Sequence, residues 1–140
     1  MGEEMHRYFP GRYDQIGAIR AAVRAALPVW CPAREDTVLI VDEIATNAIR
    51  HSDSGRPGGA IALAVAHEVD AVRGHVRDAG TEDETPRAGT DPDTLCESGR
   101  GLFLVDALAK EWGTFRDGVG RVVWFEVAEP GCRVHVTALP

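Results

Sequence analysis

One predicted helix, residues 33–52, combines a wide apolar stripe with a row of polar side chains. The apolar positions at helical spacing are Val38, Val41, Ile44, Ala45, Ala48 and Ile49. A stripe of this width predicts a helix that packs against a core. Glu43, Asn47 and His51 recur every four positions, so the helix presents them on nearly one face. Together with a glycine-rich turn further along the chain, these groups indicate a site for a metal-bound phosphate compound.

The order of the periodic segments indicates the fold class. Helices are predicted over residues 14–27, 33–52 and 101–110, and strands over 60–66, 71–78, 112–115 and 121–127. Asp14 is the predicted cap of the first helix, and Pro28 lies just past its end. The segments do not alternate as in a parallel sheet. They predict an α+β fold, a two-layer α/β sandwich in which a mixed, mostly antiparallel sheet carries the helices on one face.

Length and charge limit the classes of function. The 140 residues predict a single domain over residues 1–140. A net charge of -7 argues against direct binding of nucleic acid or of anionic membranes. No apolar run approaches the roughly 20 residues of a membrane helix, and the polar N-terminus does not resemble a signal peptide. We therefore expect a cytoplasmic protein.

The cysteines are few and scattered. Cys31, Cys96 and Cys132 form no close pair, which predicts free thiols in a reducing compartment. A zinc site built from the three cysteines and a histidine is the weaker alternative, because zinc ligands usually include a closely spaced pair.

Two segments lack a regular pattern. Residues 81–98 hold six carboxylates, two prolines and little apolar content, and a loop of this length within a domain predicts a lid over a binding site, extending over about 81–100. Its charges are expected to face solvent, or alternatively to recruit a basic partner. Residues 130–140 form a tail for which the sequence makes no structural prediction.

Two residues of the predicted 33–52 helix suit phosphate chemistry. The amide oxygen of Asn47 is a hard, neutral ligand that suits Mg²⁺. Glu43, one turn earlier, is placed to hold a metal-bound water or to accept a proton from an attacking hydroxyl. Asp42 is the rival carboxylate, but it lies about 100° away around the helix. The alternative for Glu43 and Asn47 is that both are ordinary exposed helix residues.

Other candidate residues lie at the ends of elements. Arg50 and His51 can reach a phosphate, or they can serve only as surface cations at a helix C-terminus. Asp78 ends a strand and can accept a hydrogen bond from an exocyclic amine, although with Gly80 it also fits a simple turn. Gly99-Arg100-Gly101 opens a helix, where free N–H groups favour an anion, or is a flexible turn.

Three motifs occur in a fixed order along the chain. They are Asp42-Glu43-x-x-x-Asn47-Ala48-x-x-His51-Ser52, Asp78-x-Gly80 and Gly99-x-Gly101-Leu102. They look like the N, G1 and G2 boxes of the GHKL (Bergerat-fold) ATPases. The chain resembles this superfamily from about Phe9 to Glu126. Within it, the chain looks like the small anti-sigma-factor serine kinases of the RsbW/SpoIIAB type, especially their stand-alone actinobacterial members.

The resemblance implies ATP and Mg²⁺ as cofactors and assigns roles. It implies Glu43 as the catalytic base, Asn47 as the metal ligand and Asp78 as the acceptor of a hydrogen bond from the adenine amine. The residues that it places around the nucleotide are Asn47, Arg50, His51, Asp78, Gly80, Gly99, Arg100, Gly101 and Leu102. Family members phosphorylate a serine of a small anti-sigma-factor antagonist of the STAS type. Many also sequester a sigma factor, and many form homodimers.

The chain departs from the family pattern at two positions of the adenine end. Glu82 replaces a second glycine, and Arg121-Val122 stands where the family often has a threonine hydroxyl. A nucleotide-responsive protein-binding regulator with weak or no catalysis is therefore the alternative function. A fragment of a two-component kinase is less favoured, because no phosphoacceptor-histidine helix is predicted ahead of the motifs.

Overall fold

The structure is a computed structural model that describes residues 3–51, 55–79, 100–118 and 120–129. Its strands are β1 (Glu3–Pro10), β2 (Ala60–His67), β3 (Ala71–Asp78), β4 (Glu111–Arg116) and β5 (Arg121–Ala128). Its helices are a 3-10 turn (Tyr13–Gln15), α1 (Ile16–Ala26), α2 (Arg34–His51) and α3 (Arg100–Leu108). The predicted lid segment 81–98 and the tail 130–140 lie outside the described residues.

The five strands form one sheet in the order β1-β2-β3-β5-β4. Every described pair of neighbouring strands is antiparallel. At one end of the sheet the register places Pro10 opposite Ala60, and Arg121 opposite both Asp78 and Arg116. The predicted α+β sandwich is confirmed. The sheet is fully antiparallel across these pairs, where the sequence predicted a mixed one.

The helices pack together on the sheet, with α2 between α1 and α3. α2 also contacts β3 and β5. Its buried residues are Thr37, Val38, Ile40, Val41, Ile44, Ala45, Asn47, Ala48 and Ile49. They join a core that includes Leu63, Val105 and Phe125 from the surrounding elements. The wide apolar stripe of α2 therefore makes this helix the centre of the helical layer.

The first helix is shorter than the sequence predicted. Asp14 lies in the 3-10 turn, where its carboxylate accepts a hydrogen bond from Arg12 Nε at 3.1 Å instead of capping α1. α1 ends at Ala26, and Leu27 is extended with φ -122° and ψ 140°. The residue before a proline is pushed out of the helical region, so Pro28 accounts for this end.

β1 is the element that the sequence did not predict. It is an edge strand that pairs only with β2 among the described strands. Phe9 is buried and Met5 packs against the core, while the guanidinium of Arg7 lies 4.9 Å from the centroid of the Phe9 ring. Tyr8 points outward and is exposed. With so few apolar residues, the strand owes its position to β2, whose apolar run offers a partner.

No helix in the described ranges is long and apolar enough to cross a membrane.

Candidate functional site

Glu43 and Asn47 lie one turn apart on α2, at the edge of its apolar stripe. Asn47 is only 7% exposed, and Glu43 is half-buried. The flanking residues Ile44 and Ala48 are in the core. Burial of an amide among apolar side chains is costly unless its polar atoms find a partner. The alternative that Asn47 is an ordinary exposed helix residue is therefore excluded.

The rival carboxylate Asp42 is engaged in helix packing. Arg20 of α1 donates a hydrogen bond to Asp42 Oδ2 at 2.7 Å, and the hydroxyl of Thr46 donates to Oδ1 at 3.3 Å. These contacts hold Asp42 at the α1–α2 contact. Because successive residues are turned by about 100° around a helix, Glu43 is the carboxylate on the side of Asn47.

Asp78 occupies the last position of β3 and is 3% exposed. Arg121, the first residue of β5, lies directly opposite and donates a hydrogen bond from its guanidinium to Asp78 Oδ2 at 3.2 Å. The guanidinium is itself largely buried, and its Nε atom has no hydrogen-bond partner among the described residues. A charged pair thus occupies the corner that the motif assigns to adenine recognition.

Gly120 fits closely against this corner. A Cβ atom at Gly120 would overlap the backbone carbonyl of Asp78. Asp117, in the same turn, accepts a hydrogen bond from the Gly120 N–H at 2.9 Å. Its Oδ2 atom also forms an ion pair with the guanidinium of Arg77 in β3, at 2.8 Å. The β4–β5 turn is thereby fixed against the end of β3.

The other predicted site residues are more scattered. Arg50 and His51 are exposed in the last turn of α2, where cations are favoured by the helix dipole. Leu102 is buried in the core on α3. Arg100 and Gly101 form the first turn of α3. Gly80 and Gly99 lie outside the described residues, as does Glu82.

Fold contacts connect the elements that carry the three motifs. α2 carries Glu43 and Asn47 and contacts both α3 and β3. α3 begins with the Arg100-Gly101 turn, and β3 ends at Asp78. The N–H groups in the first turn of a helix generally lack partners within the helix and favour an anion. Because α2 and α3 are in contact, the two helices to which the resemblance assigns phosphate binding are neighbours in the fold.

A cavity of about 810 Å³ lies near one edge of the same end of the sheet. It is lined by Tyr8, Phe9, Pro10 and Arg12 from the β1 side, and by the segment Gly55–Ala60 that leads into β2. Its lining does not include Glu43, Asn47 or Asp78. This cavity is therefore not the site that the three motifs predict.

A comparison with protein-family models decides the family. The model of the histidine kinase-like ATPase domain matches residues 9–127, most of the chain. The chain belongs to this family. A search among curated proteins found no significant match.

Membership of the histidine kinase-like ATPase family makes this an ATP-binding type of domain. The residues present suit a magnesium nucleotide, because the buried amide oxygen of Asn47 and the half-buried carboxylate of Glu43 are hard oxygen ligands on one helix. The region around Asp78, to which the resemblance assigns adenine, suits a nucleotide less well, because the Asp78 carboxylate already accepts a hydrogen bond from Arg121.

In the sequence analysis, Arg121 was noted only because Arg121-Val122 lacks the threonine hydroxyl that the family often has there. In the structure this residue contacts Asp78, a contact that the motifs do not predict. Val122, the next residue, is buried in the sheet. The sequence does predict that one strand ends at Asp78 and that another begins at Arg121. The contact between them could not be predicted, because it requires the two strands to be antiparallel neighbours in the sheet.

Proposed function

We propose that this histidine kinase-like ATPase domain is a magnesium-dependent protein-serine kinase of the anti-sigma-factor type. Its substrate is a small anti-sigma-factor antagonist of the STAS type, and it also sequesters a sigma factor. We further propose that it acts in the cytoplasm and as a homodimer. The observation that carries the kinase proposal is the placement of Glu43 beside buried Asn47, while Asp42 is held by Arg20.

The proposed chemistry divides between two side chains. Asn47 would hold Mg²⁺ through its amide oxygen, and the ion would neutralise charge on the phosphates. Glu43 accepts the proton of the substrate serine hydroxyl as its oxygen attacks the γ-phosphorus of ATP. The bond from that phosphorus to the β–γ bridging oxygen breaks, and ADP leaves. The start of α3 stabilises phosphate charge through its N–H groups.

Labelled ATP and a purified STAS antagonist test this proposal. The native protein is expected to form phosphoserine on the antagonist. Glu43→Gln keeps the size of the side chain and removes the base, so transfer is expected to fall at least a hundredfold while ATP binding persists. Glu35→Gln is the matched control, because Glu35 lies exposed on the same helix and its carboxylate pairs with Arg24 of α1.

Two results would count against a kinase. One is the absence of transfer to an antagonist that the protein captures, and the other is unchanged transfer in Glu43→Gln. Sequestration is tested separately, by capture of a purified sigma factor with and without the antagonist. The oligomeric state is tested by sedimentation.

The second candidate is a protein-binding regulator with weak or no catalysis. The hydrogen bond from Arg121 to Asp78 favours it, because a nucleotide amine would have to compete with a charged donor for the same carboxylate. This regulator would capture its partner in the absence of measurable Mg-ATP binding by calorimetry. A requirement for ATP hydrolysis in partner capture would exclude it.

A further inference from the structure

Three side chains far apart in the sequence meet at the end of the sheet opposite to Asp78. Cys31 lies in the α1–α2 connection, His67 is the last residue of β2, and Glu129 directly follows β5. The thiol sulfur, a ring nitrogen and a carboxylate oxygen lie within 4.8 Å of one another. β3 runs from Ala71 near this cluster to Asp78, roughly 23 Å at 3.3 Å per residue.

The cluster is shielded from water. Glu129 is fully buried, Cys31 is 5% exposed, and the side chain of His67 is 15% exposed. The indole of Trp30 covers His67, with ring centroids 5.8 Å apart. The backbone N–H of Glu129 donates to the carbonyl of Asp70 at 2.9 Å, which fixes the main chain at Glu129.

All three side chains point at one another. His67 Nε2 lies 2.7 Å from Glu129 Oε1, and the Cys31 sulfur is hydrogen-bonded to Glu129 Oε2. The backbone N–H of Ala33 also donates to Oε2, at 3.4 Å. A fully buried carboxylate is costly unless compensating charge or hydrogen bonds are present. Here the compensation comes from a thiol, an imidazole and a backbone N–H, so two side chains that can bind a metal converge on the buried carboxylate of Glu129.

We propose that Cys31, His67 and Glu129 form a zinc-binding site, distinct from the nucleotide site. Sulfur, imidazole nitrogen and carboxylate oxygen are the three ligand types that zinc accepts in proteins. Bond lengths of about 2.0–2.3 Å around a tetrahedral ion place ligand atoms roughly 3.3–3.7 Å apart, so only small side-chain movements are required. A water or an external ligand would complete the fourth position.

Charge balance supports zinc over a purely hydrogen-bonded cluster. A thiolate and a carboxylate neutralise Zn²⁺, and the imidazole binds in its neutral form. The loaded site is then uncharged, which suits its burial. The sequence allowed a zinc site made of the three cysteines and a histidine. The site proposed here uses one cysteine and a carboxylate instead, from positions whose spacing gives no sequence signal.

Cobalt and zinc titrations of the full chain test the site. Co²⁺ added to metal-depleted protein is expected to give a thiolate-to-cobalt charge-transfer band and tetrahedral ligand-field bands at one equivalent, and Zn²⁺ should abolish them. Cys31→Ala is expected to lose the charge-transfer band and to weaken zinc binding at least a hundredfold. The matched control is the double variant Cys96→Ser/Cys132→Ser, which should keep both.

A second readout separates metal binding from a structural role. Zinc should raise the melting temperature of the native chain with rising concentration, as expected for a ligand of the folded state, and should not raise that of Cys31→Ala or His67→Gln. The proposal is overturned if native protein gives no cobalt band and no zinc-dependent shift. It is equally overturned if Cys31→Ala, folded by circular dichroism, retains the native affinity for zinc.

Discussion

The guanidinium of Arg121 donates to the carboxylate of Asp78 across the β3–β5 pair, over 3.2 Å. Both side chains are largely buried, with the Asp78 side chain 3% exposed and that of Arg121 12% exposed. The family resemblance assigns the motif that contains this carboxylate to adenine recognition. We therefore expect changes at this pair to affect both nucleotide affinity and the stability of the fold.

Replacement of Arg121 by threonine is expected to tighten Mg-ATP binding. Arg121→Thr removes one charged donor that competes with an exocyclic amine for the Asp78 carboxylate, so we expect about a tenfold lower dissociation constant, or about 1.4 kcal/mol. The same change removes the 3.2 Å hydrogen bond from the guanidinium to a buried carboxylate and should lower the free energy of unfolding by about 3 kcal/mol without nucleotide. Calorimetry and urea unfolding measure the two effects.

The control for this prediction is Asp78→Asn, which should weaken ATP binding in either background. If Arg121→Thr binds Mg-ATP more weakly than the native chain while remaining folded, Arg121 contributes to the nucleotide site instead of competing with it.

Removal of the Asn47 amide should affect Mg-ATP more than the fold. Asn47→Ala deletes the proposed metal ligand, so we expect at least a tenfold loss of Mg-ATP affinity, or about 1.4 kcal/mol. Thr46→Ala is the neighbouring control. It loses the 3.3 Å hydrogen bond to Asp42, which should cost about 1 kcal/mol of stability and leave nucleotide affinity unchanged. Equal nucleotide affinity in both variants would remove Asn47 from the site.

Two glycines of the β4–β5 turn are expected to differ in how much stability is lost on substitution by alanine. A Cβ at Gly120 overlaps the Asp78 carbonyl, and because that neighbour is backbone, Gly120→Ala should cost about 1–3 kcal/mol. A Cβ at Gly118 meets no atom within 4 Å. Gly118→Ala should therefore change the free energy of unfolding by less than about 1 kcal/mol. Urea unfolding measures the free energy of unfolding of both variants. Similar losses in the two would contradict the close approach of Gly120 to the Asp78 carbonyl.

The half-buried ring of His75 on β3 should make stability depend on pH. Burial lowers the pKa of His75 below 6.5, and the nearby charges of Arg77 and His6 lower it further, against the opposing effect of Glu4 and Asp117. Well above pH 6.5 the ring is neutral in both the folded and the unfolded chain, so there it does not make stability depend on pH. As the pH falls below 6.5, the unfolded chain takes up a proton that the folded chain resists, so stability is lost.

The measurement for His75 is the change in urea midpoint between pH 7.5 and pH 5.5. His75→Gln should show a smaller loss on acidification than the native chain. If the two losses are equal, other groups account for the acid sensitivity of the fold.

The helices and four of the five strands follow from periodicity alone, because α2, β2 and β5 bury strong apolar patterns. β1 does not, since its apolar content is low and its place depends on the edge that β2 offers. In the candidate site, the spacing of Glu43 and Asn47 was sufficient to place them together on α2. The Asp78–Arg121 contact depends on strand order, and the meeting of Cys31, His67 and Glu129 depends on tertiary structure, so neither has a local signal.

The central position of α2 limits how this protein can diversify. Nine of its 18 residues are buried, and Asp42 is committed to the contact with Arg20. Most substitutions on this helix would therefore disturb the packing of the core. If the protein binds a protein partner as proposed, variation in the choice of partner is expected to accumulate on surfaces that α2 does not form, and engineered changes of recognition should begin there.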